Sequence, residues 1–270
     1  MGNAERLGGD SANRLPVHRR REWSFVHLQA GSRDKGSSML IVRGLIAGLL
    51  QVTIISSFLL VPAGLVPGGT WCWKHGLLFI CIYGFFMQSA VVTLAILAPA
   101  SLEARLRKPA SKTQPLADRV ITALIMVTFF GWFIFIPVDV FYLKLFSKPP
   151  FLLSVCGGML SLLGYVIIMT AIYQNSFATP IVEDQSERGQ SLVDRGLYGV
   201  VRHPFYLGMM PFMAGIALWL ESYASLLAVS VLLMVLIARI LVEERTLQKT
   251  LPGYPEYLKK VRYRLVPFIW

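Results

Sequence analysis

Four long apolar runs, Leu40–Val61, Gly76–Ala98, Val120–Leu143 and Phe151–Ile172, restrict what this chain can fold into more than any other feature. Each approaches or exceeds the roughly 20 residues that an α-helix needs to cross the hydrocarbon core of a bilayer. Backbone N–H and C=O groups in hydrocarbon must be bonded internally, and the runs do not alternate as strands do, so they require a helical bundle. The composition agrees: 55% of the residues are hydrophobic and 15% charged, as in a polytopic membrane protein.

Two further apolar segments, Phe205–Leu220 and Ala224–Val242, are shorter. Only Glu221-Ser222-Tyr223 separates them, so they form a tight helical hairpin that either spans the membrane or dips into it. The expected architecture is an all-α polytopic bundle of about six transmembrane segments. It divides into a disordered basic segment (1–39), a four-helix scaffold (40–172) and a C-terminal functional region (173–270).

Charge placement orients the bundle. Residues 1–39 carry seven Lys or Arg, 99–119 five, 173–204 three and 243–270 six, whereas the opposite loops hold only Lys74, Lys144 and Lys148. The positive-inside rule puts both termini and the first-named segments in the cytoplasm, in a bacterial inner membrane or the endoplasmic reticulum. The net charge of +11 is accounted for by flanks lying against anionic headgroups, so nucleic acid is not an expected partner and membrane lipids are. The first 38 residues lack the apolar core of a secretory signal.

Cys72, Cys81 and Cys156 are scattered without paired spacing, and no metal-binding pattern can be assembled from the histidines. Arg43 reads as a snorkelling anchor, Pro137 and Asp139 as a bent or capped helix end, and Gly157, Gly158 and Gly164 as positions of close helix approach.

Polar chemistry enters after the fourth run. Glu183–Gln190 reads as part of a flap that leads through Gly196 and Tyr198 to Arg202-His203-Pro204. Proline is tolerated at a helix start, which puts His203 at the mouth of the next helix with Tyr206 and Gly208 inside it. Arg202 and His203 offer donors to an anion, and Gly208 allows a planar group to approach the backbone. A headgroup contact for Arg202 and a helix cap for His203 are the structural alternatives. Near the end of the sixth run, Arg239 and Glu243 are four apart and share a helical face, while Glu244 is rotated away by about 100°. A buried arginine needs a fixed anion, which Glu243 or a ligand supplies. The tail from Leu251 to Phe268 interleaves aromatics, including Tyr254 and Tyr257, with Lys and Arg.

The series Gly196…Tyr198…Arg202-His203-Pro204-Phe205-Tyr206-Leu207-Gly208, then Arg239…Glu243-Glu244…Leu247, then Gly253-Tyr254…Tyr257…Arg264…Pro267, resembles the integral-membrane methyltransferases of the isoprenylcysteine carboxyl methyltransferase and phospholipid methyltransferase group. The resemblance covers about the last hundred residues. It implies an S-adenosylmethionine pocket at the cytosolic face, with Tyr198, Arg202, His203, Tyr206, Gly208, Glu244, Tyr254 and Tyr257 at the cofactor and Arg239 and Glu243 in catalysis. It further implies a lipophilic or small-molecule methyl acceptor: foremost the carboxylate of a prenylated cysteine, with a phospholipid amine or a small thiol as alternatives. A sterol-reductase-like enzyme using NADPH and a nonenzymatic membrane scaffold are the alternatives of other classes.

Overall fold

Asp139 and Pro137, placed by the sequence at a helix end, mark the point where the third long apolar helix of the computed structural model changes its winding. The structure describes residues 17–106, 116–177 and 190–270, with side chains from residue 38 onward. Its elements are α1 (Val17–Leu65), α2 (Lys74–Leu97), α3 (Pro99–Arg105), α4 (Leu116–Pro137), α5 (Phe151–Gln174), α6 (Pro204–Trp219), α7 (Tyr223–Thr250) and α8 (Tyr254–Lys260). A π-helical turn, Val138–Leu143, extends α4, and a 3-10 turn, Gly196–Gly199, precedes α6. The described residues contain no strand.

Among the described residues five helical segments are long and apolar enough to cross a membrane: Ser38–Leu65, Lys74–Leu97, Leu116–Leu143, Phe151–Gln174 and Tyr223–Thr250. The protein is thus a multi-pass α-helical membrane protein. Between 17% and 28% of the most apolar stretch of each is buried, so most of that surface faces outward, as lipid-facing helices require. Cys72, Cys81 and Cys156 are exposed free thiols. Helix α1 begins at Val17, inside the stretch expected to be unstructured, since a helix already nucleated in the membrane extends at little cost. Residues 1–16 and the part of the expected flap between 178 and 189 lie outside the described residues.

Helix α6 has 16 residues and, at 1.5 Å each, is about 24 Å long, short of the roughly 30 Å of bilayer hydrocarbon. It nevertheless reaches the end of the bundle where α2 and α5 begin. Trp219 Nε1 donates to the carbonyl of His75 (3.2 Å), and Glu221, in the turn that follows, accepts from Lys148 Nζ (2.8 Å). That turn takes a left-handed residue at Glu221, φ 65°, and Ser222 caps α7 by accepting from Ser225 N (2.9 Å). The Ser222 hydroxyl also lies 2.6 Å from Asp139 Oδ2, while Leu145 N donates to Oδ1 of the same carboxylate (3.1 Å). Asp139 therefore closes the π turn and pins α4 to the hairpin.

What holds α6 in place is a backbone-to-backbone face with α5. Gly157 and Gly164 oppose Gly215 and Gly208 in antiparallel order. A Cβ added to Gly164 would fall 2.6 Å from Gly208 O, and one added to Gly208 would fall 2.9 Å from Gly164 O. Lipid tails give helices no hydrophobic reason to associate, so such close van der Waals packing supplies the attraction. On the other side of α6, Met213, Ile216 and Ala217 enter the main core with Ile55, Leu59 and Ala63 of α1, and Trp132, Phe133 and Ile136 of α4. Trp132 Nε1 donates to Ser225 O (2.8 Å), which ties α4 to α7 within that core.

Gly164→Val should cost at least the ~1–3 kcal/mol of ordinary overpacking, because the obstructing atoms are backbone. Nothing lies within 4 Å of a Cβ added to Gly131, so Gly131→Ala should hold or raise the melting temperature. Thermal unfolding of the two variants in detergent checks both, and equal melting temperatures would remove the glycine face as the reason for α5–α6 packing.

Candidate functional site

Pro204 opens α6, and the backbone of the two residues before it bonds to the C-terminal tail: Arg202 N donates to Tyr263 O (2.9 Å) and His203 N to Arg264 O (2.9 Å). From these backbone bonds the side chains of Arg202 and His203 reach toward α7. Arg202 Nε donates to Val261 O (2.7 Å), Nη2 to Leu258 O (2.9 Å) and Nη1 to Glu244 Oε1 (3.1 Å). The other oxygen of Glu244 accepts from Arg264 Nε (2.9 Å), whose guanidinium lies 5.1 Å from the Trp270 ring centre. Glu244 is 3% exposed. It holds the tail to α6 and α7.

His203 occupies the N-cap position of α6, but its side chain makes no capping bond. The imidazole stacks on Tyr206, with centroids 5.7 Å apart and planes at 26°. Its Nε2 lies 3.4 Å from Glu244 Oε1 without the alignment of a hydrogen bond, and is buried with no bonded partner. A buried ring nitrogen without an aligned partner costs free energy, which the nearby Glu244 carboxylate reduces.

The tail is fixed from below as well. Gly196, at φ 60°, turns the chain beneath α5, where Leu197 N donates to Gln174 Oε1 (2.9 Å). Tyr257 Oη donates to Tyr198 O (2.7 Å) and Lys260 Nζ to Asp194 Oδ2 (2.7 Å). That bond from Lys260 holds the Asp194 carboxyl below its ordinary value. Burial raises the phenol pKa values of Tyr198, Tyr254 and Tyr257, so all remain protonated donors at neutral pH.

These elements enclose a cavity of about 260 Å³. Its outer end is walled by Gln190–Val193, Tyr198, Arg202, His203, Leu251, Tyr254 and Tyr257. Its inner end lies between α4, α6 and α7, walled by Thr122, Ile125, Met126, Phe205, Tyr206, Met209, Leu236, Arg239 and Glu243. Arg105, at the end of α3, is also on the wall, and burial lowers its pKa to about 10.

At the inner end a polar chain runs across three helices. Arg239 Nη1 donates to Asp118 Oδ1 (3.0 Å) and to Thr122 Oγ1 (2.9 Å), both on α4. Arg239 Nε donates to Tyr206 Oη (2.9 Å), which in turn donates to Glu243 Oε2 (2.9 Å). Arg239 is 2% exposed and Asp118 fully buried. Asp118 pairs directly with the buried arginine, and Glu243 is linked to Arg239 through the phenol of Tyr206.

Of the residues expected at the site, Tyr198, Arg202, His203, Tyr206, Arg239, Glu243, Tyr254 and Tyr257 share the cavity wall. Glu244 and Gly208 do not. Glu244 is turned toward the tail by its place one residue beyond Glu243, and Gly208 faces the backbone of α5, so no flat ligand can approach it. Sequence reasoning missed Asp118 and Thr122, whose only signal is an acid and a hydroxyl four apart at the start of an apolar run. It also missed Arg105.

Residues 152–252 match the family model for phospholipid methyltransferase. Comparison of the chain with curated proteins gives no match. The matched region runs from α5 through α7 and carries Arg202, His203, Tyr206, Arg239 and Glu243. At the level of the family, it supports S-adenosylmethionine-dependent methyl transfer to a lipophilic or membrane-associated acceptor.

Glu244→Gln keeps the shape of the clamp but removes the charge that balances Arg202 and Arg264. A loss of ~3 kcal/mol is expected, as for one broken partner of a buried ion pair. Thermal unfolding should show it, and trypsin should cleave faster at Lys259, Lys260 and Arg262. A variant with wild-type melting and an unchanged cleavage rate would remove Glu244 from that role.

Proposed function

We propose that the cavity is the active site of a membrane methyltransferase whose acceptor is the amine of a lipophilic, membrane-associated molecule. The observation that carries this reading is the pairing of Arg239 with Asp118. A carboxylate acceptor, such as a prenylated cysteine, calls for an arginine clamp at the inner end, but Arg239 is already bound to Asp118, Thr122 and Tyr206. Glu243 is then the charge presented by the inner wall, with no ion-pair partner shown among the described residues. A carboxylate there suits an ammonium.

The walls fit S-adenosylmethionine. Tyr198, Tyr254 and Tyr257 offer aromatic faces, Gln190 and Ser191 offer polar groups, and His203 lines the wall beside Tyr206. Arg202 supports the site from behind, since its donors are spent largely on Val261, Leu258 and Glu244. When bound, the cofactor supplies a methyl group activated by a sulfonium.

The chain's own residues hold and deprotonate the acceptor. An amine attacks only after losing a proton, and Glu243 Oε1 is the oxygen that takes it, because Oε2 is bonded to Tyr206. The bond from Arg239 to Tyr206 fixes that phenol as donor to Glu243. Aromatic and apolar walls exclude water and orient the reactants, an effect worth several kcal/mol. The surplus of Lys and Arg on the segments around the cavity supports a cytosolic position for it, with both termini on that side.

Purified protein in detergent, given tritiated S-adenosylmethionine and either lipids with primary amine headgroups or an N-acetylated prenylcysteine, tests the reading. Label should enter the amine, and Glu243→Gln should lower kcat by about 10²-fold or more while cofactor affinity stays within a few-fold. Label in the prenylcysteine ester instead would replace the amine with a carboxylate. Saturable binding of NADPH without binding of S-adenosylmethionine would overturn methyl transfer altogether.

A further inference from the structure

We propose that Asp118 sets the acceptor preference of the site by cancelling the charge of Arg239. The inference rests on the reading of the inner cavity as the acceptor site. It concerns a residue of α4, outside the region 152–252 that matches the family model.

Asp118 is fully buried, in the first turn of α4. It lies 3.0 Å from Arg239 Nη1, and Thr122, one helical turn further on, lies 2.9 Å from the same nitrogen. Two side chains on one face of α4 thus hold one edge of the guanidinium. Its Nε is left directed at Tyr206, which orients that phenol toward Glu243. Asp118 does not line the cavity, whereas Thr122, Tyr206, Arg239 and Glu243 do. It therefore acts through Arg239, as a positioning residue.

The charge consequence follows directly. With Asp118 ionised, its pair with Arg239 is neutral overall and Glu243 carries the net charge among the wall residues of α4, α6 and α7, with Arg105 of α3 also on the cavity wall. Without the Asp118 charge, the positive Arg239 faces Glu243 across a single phenol, and the wall becomes neutral on balance, with a cation available to an anionic headgroup. At an effective dielectric of about 20, a unit charge several ångströms away changes binding by more than tenfold.

Decylamine and decanoate, titrated against the protein in maltoside micelles and followed by the shift in melting temperature, read this preference without turnover or cofactor. Wild type should favour the amine. In Asp118→Asn the amine-to-carboxylate affinity ratio should fall by about tenfold or more, and in the double variant Asp118→Asn/Arg239→Gln, which removes both charges together, it should return toward wild type. Where Asp118→Asn does not fold, Arg239→Gln carries the test with the opposite sign, since it leaves Asp118 and Glu243 both negative and should raise the ratio. A ratio within twofold of wild type in the single variants, or the same fall in the double variant, overturns the proposal and leaves Asp118 a packing residue. Because the probes need no methyl donor, this result is separable from the transfer assay: absence of transfer to any acceptor would sink the methyltransferase reading and leave the ratio readable.

Discussion

A carboxylate buried to 3% exposure draws together segments that are far apart in the chain, and the cavity exists because of it. Glu244, on α7, holds Arg202 from the start of α6 and Arg264 from the tail. A lone buried carboxylate would cost several kcal/mol, so the two guanidiniums are needed together with the fold that presents them. Once Arg202 is fixed, its remaining donors capture Leu258 and Val261, and the backbone pairing of 202–203 with 263–264 follows. The outer wall of the cavity is this assembly.

Helical rotation lets the neighbouring acid take a different task. Successive residues of an α-helix point about 100° apart, so Glu243 turns into the cavity while Glu244 turns into the tail. Arg239, one turn before Glu243, also faces the cavity, and Tyr206 bridges the two. Two adjacent acids thus serve structure and site without competing for the same cations.

The apolar runs made the helical bundle legible, because the hydrocarbon leaves the backbone few alternatives, and the glycines of α5 were readable as close-approach positions. The eight expected residues on the cavity wall were legible for a related reason: they cluster at the ends of α6 and α7 and in the tail, where polar groups stand out against apolar sequence. Long-range pairing was not. Nothing local distinguishes Glu243 from Asp118 as the partner of Arg239, since spacing along α7 reports proximity on one helix and says nothing of α4. Gly208 was misassigned for the same reason, because a glycine needed for a ligand and one needed for a neighbouring helix look alike until the neighbour is in place.

Asp118 also shows why a site on α6 and α7 needs the helices before them. An arginine within an apolar helix can draw counter-charge from a neighbouring helix as well as from its own, and α4, which carries Asp118, packs against α7. Once α4 provides that charge, any change in its register or side chains alters the electrostatics of the cavity without touching the residues that face it. The region that matches a family model can therefore keep its cavity-facing groups while a helix outside it adjusts the charge within the cavity.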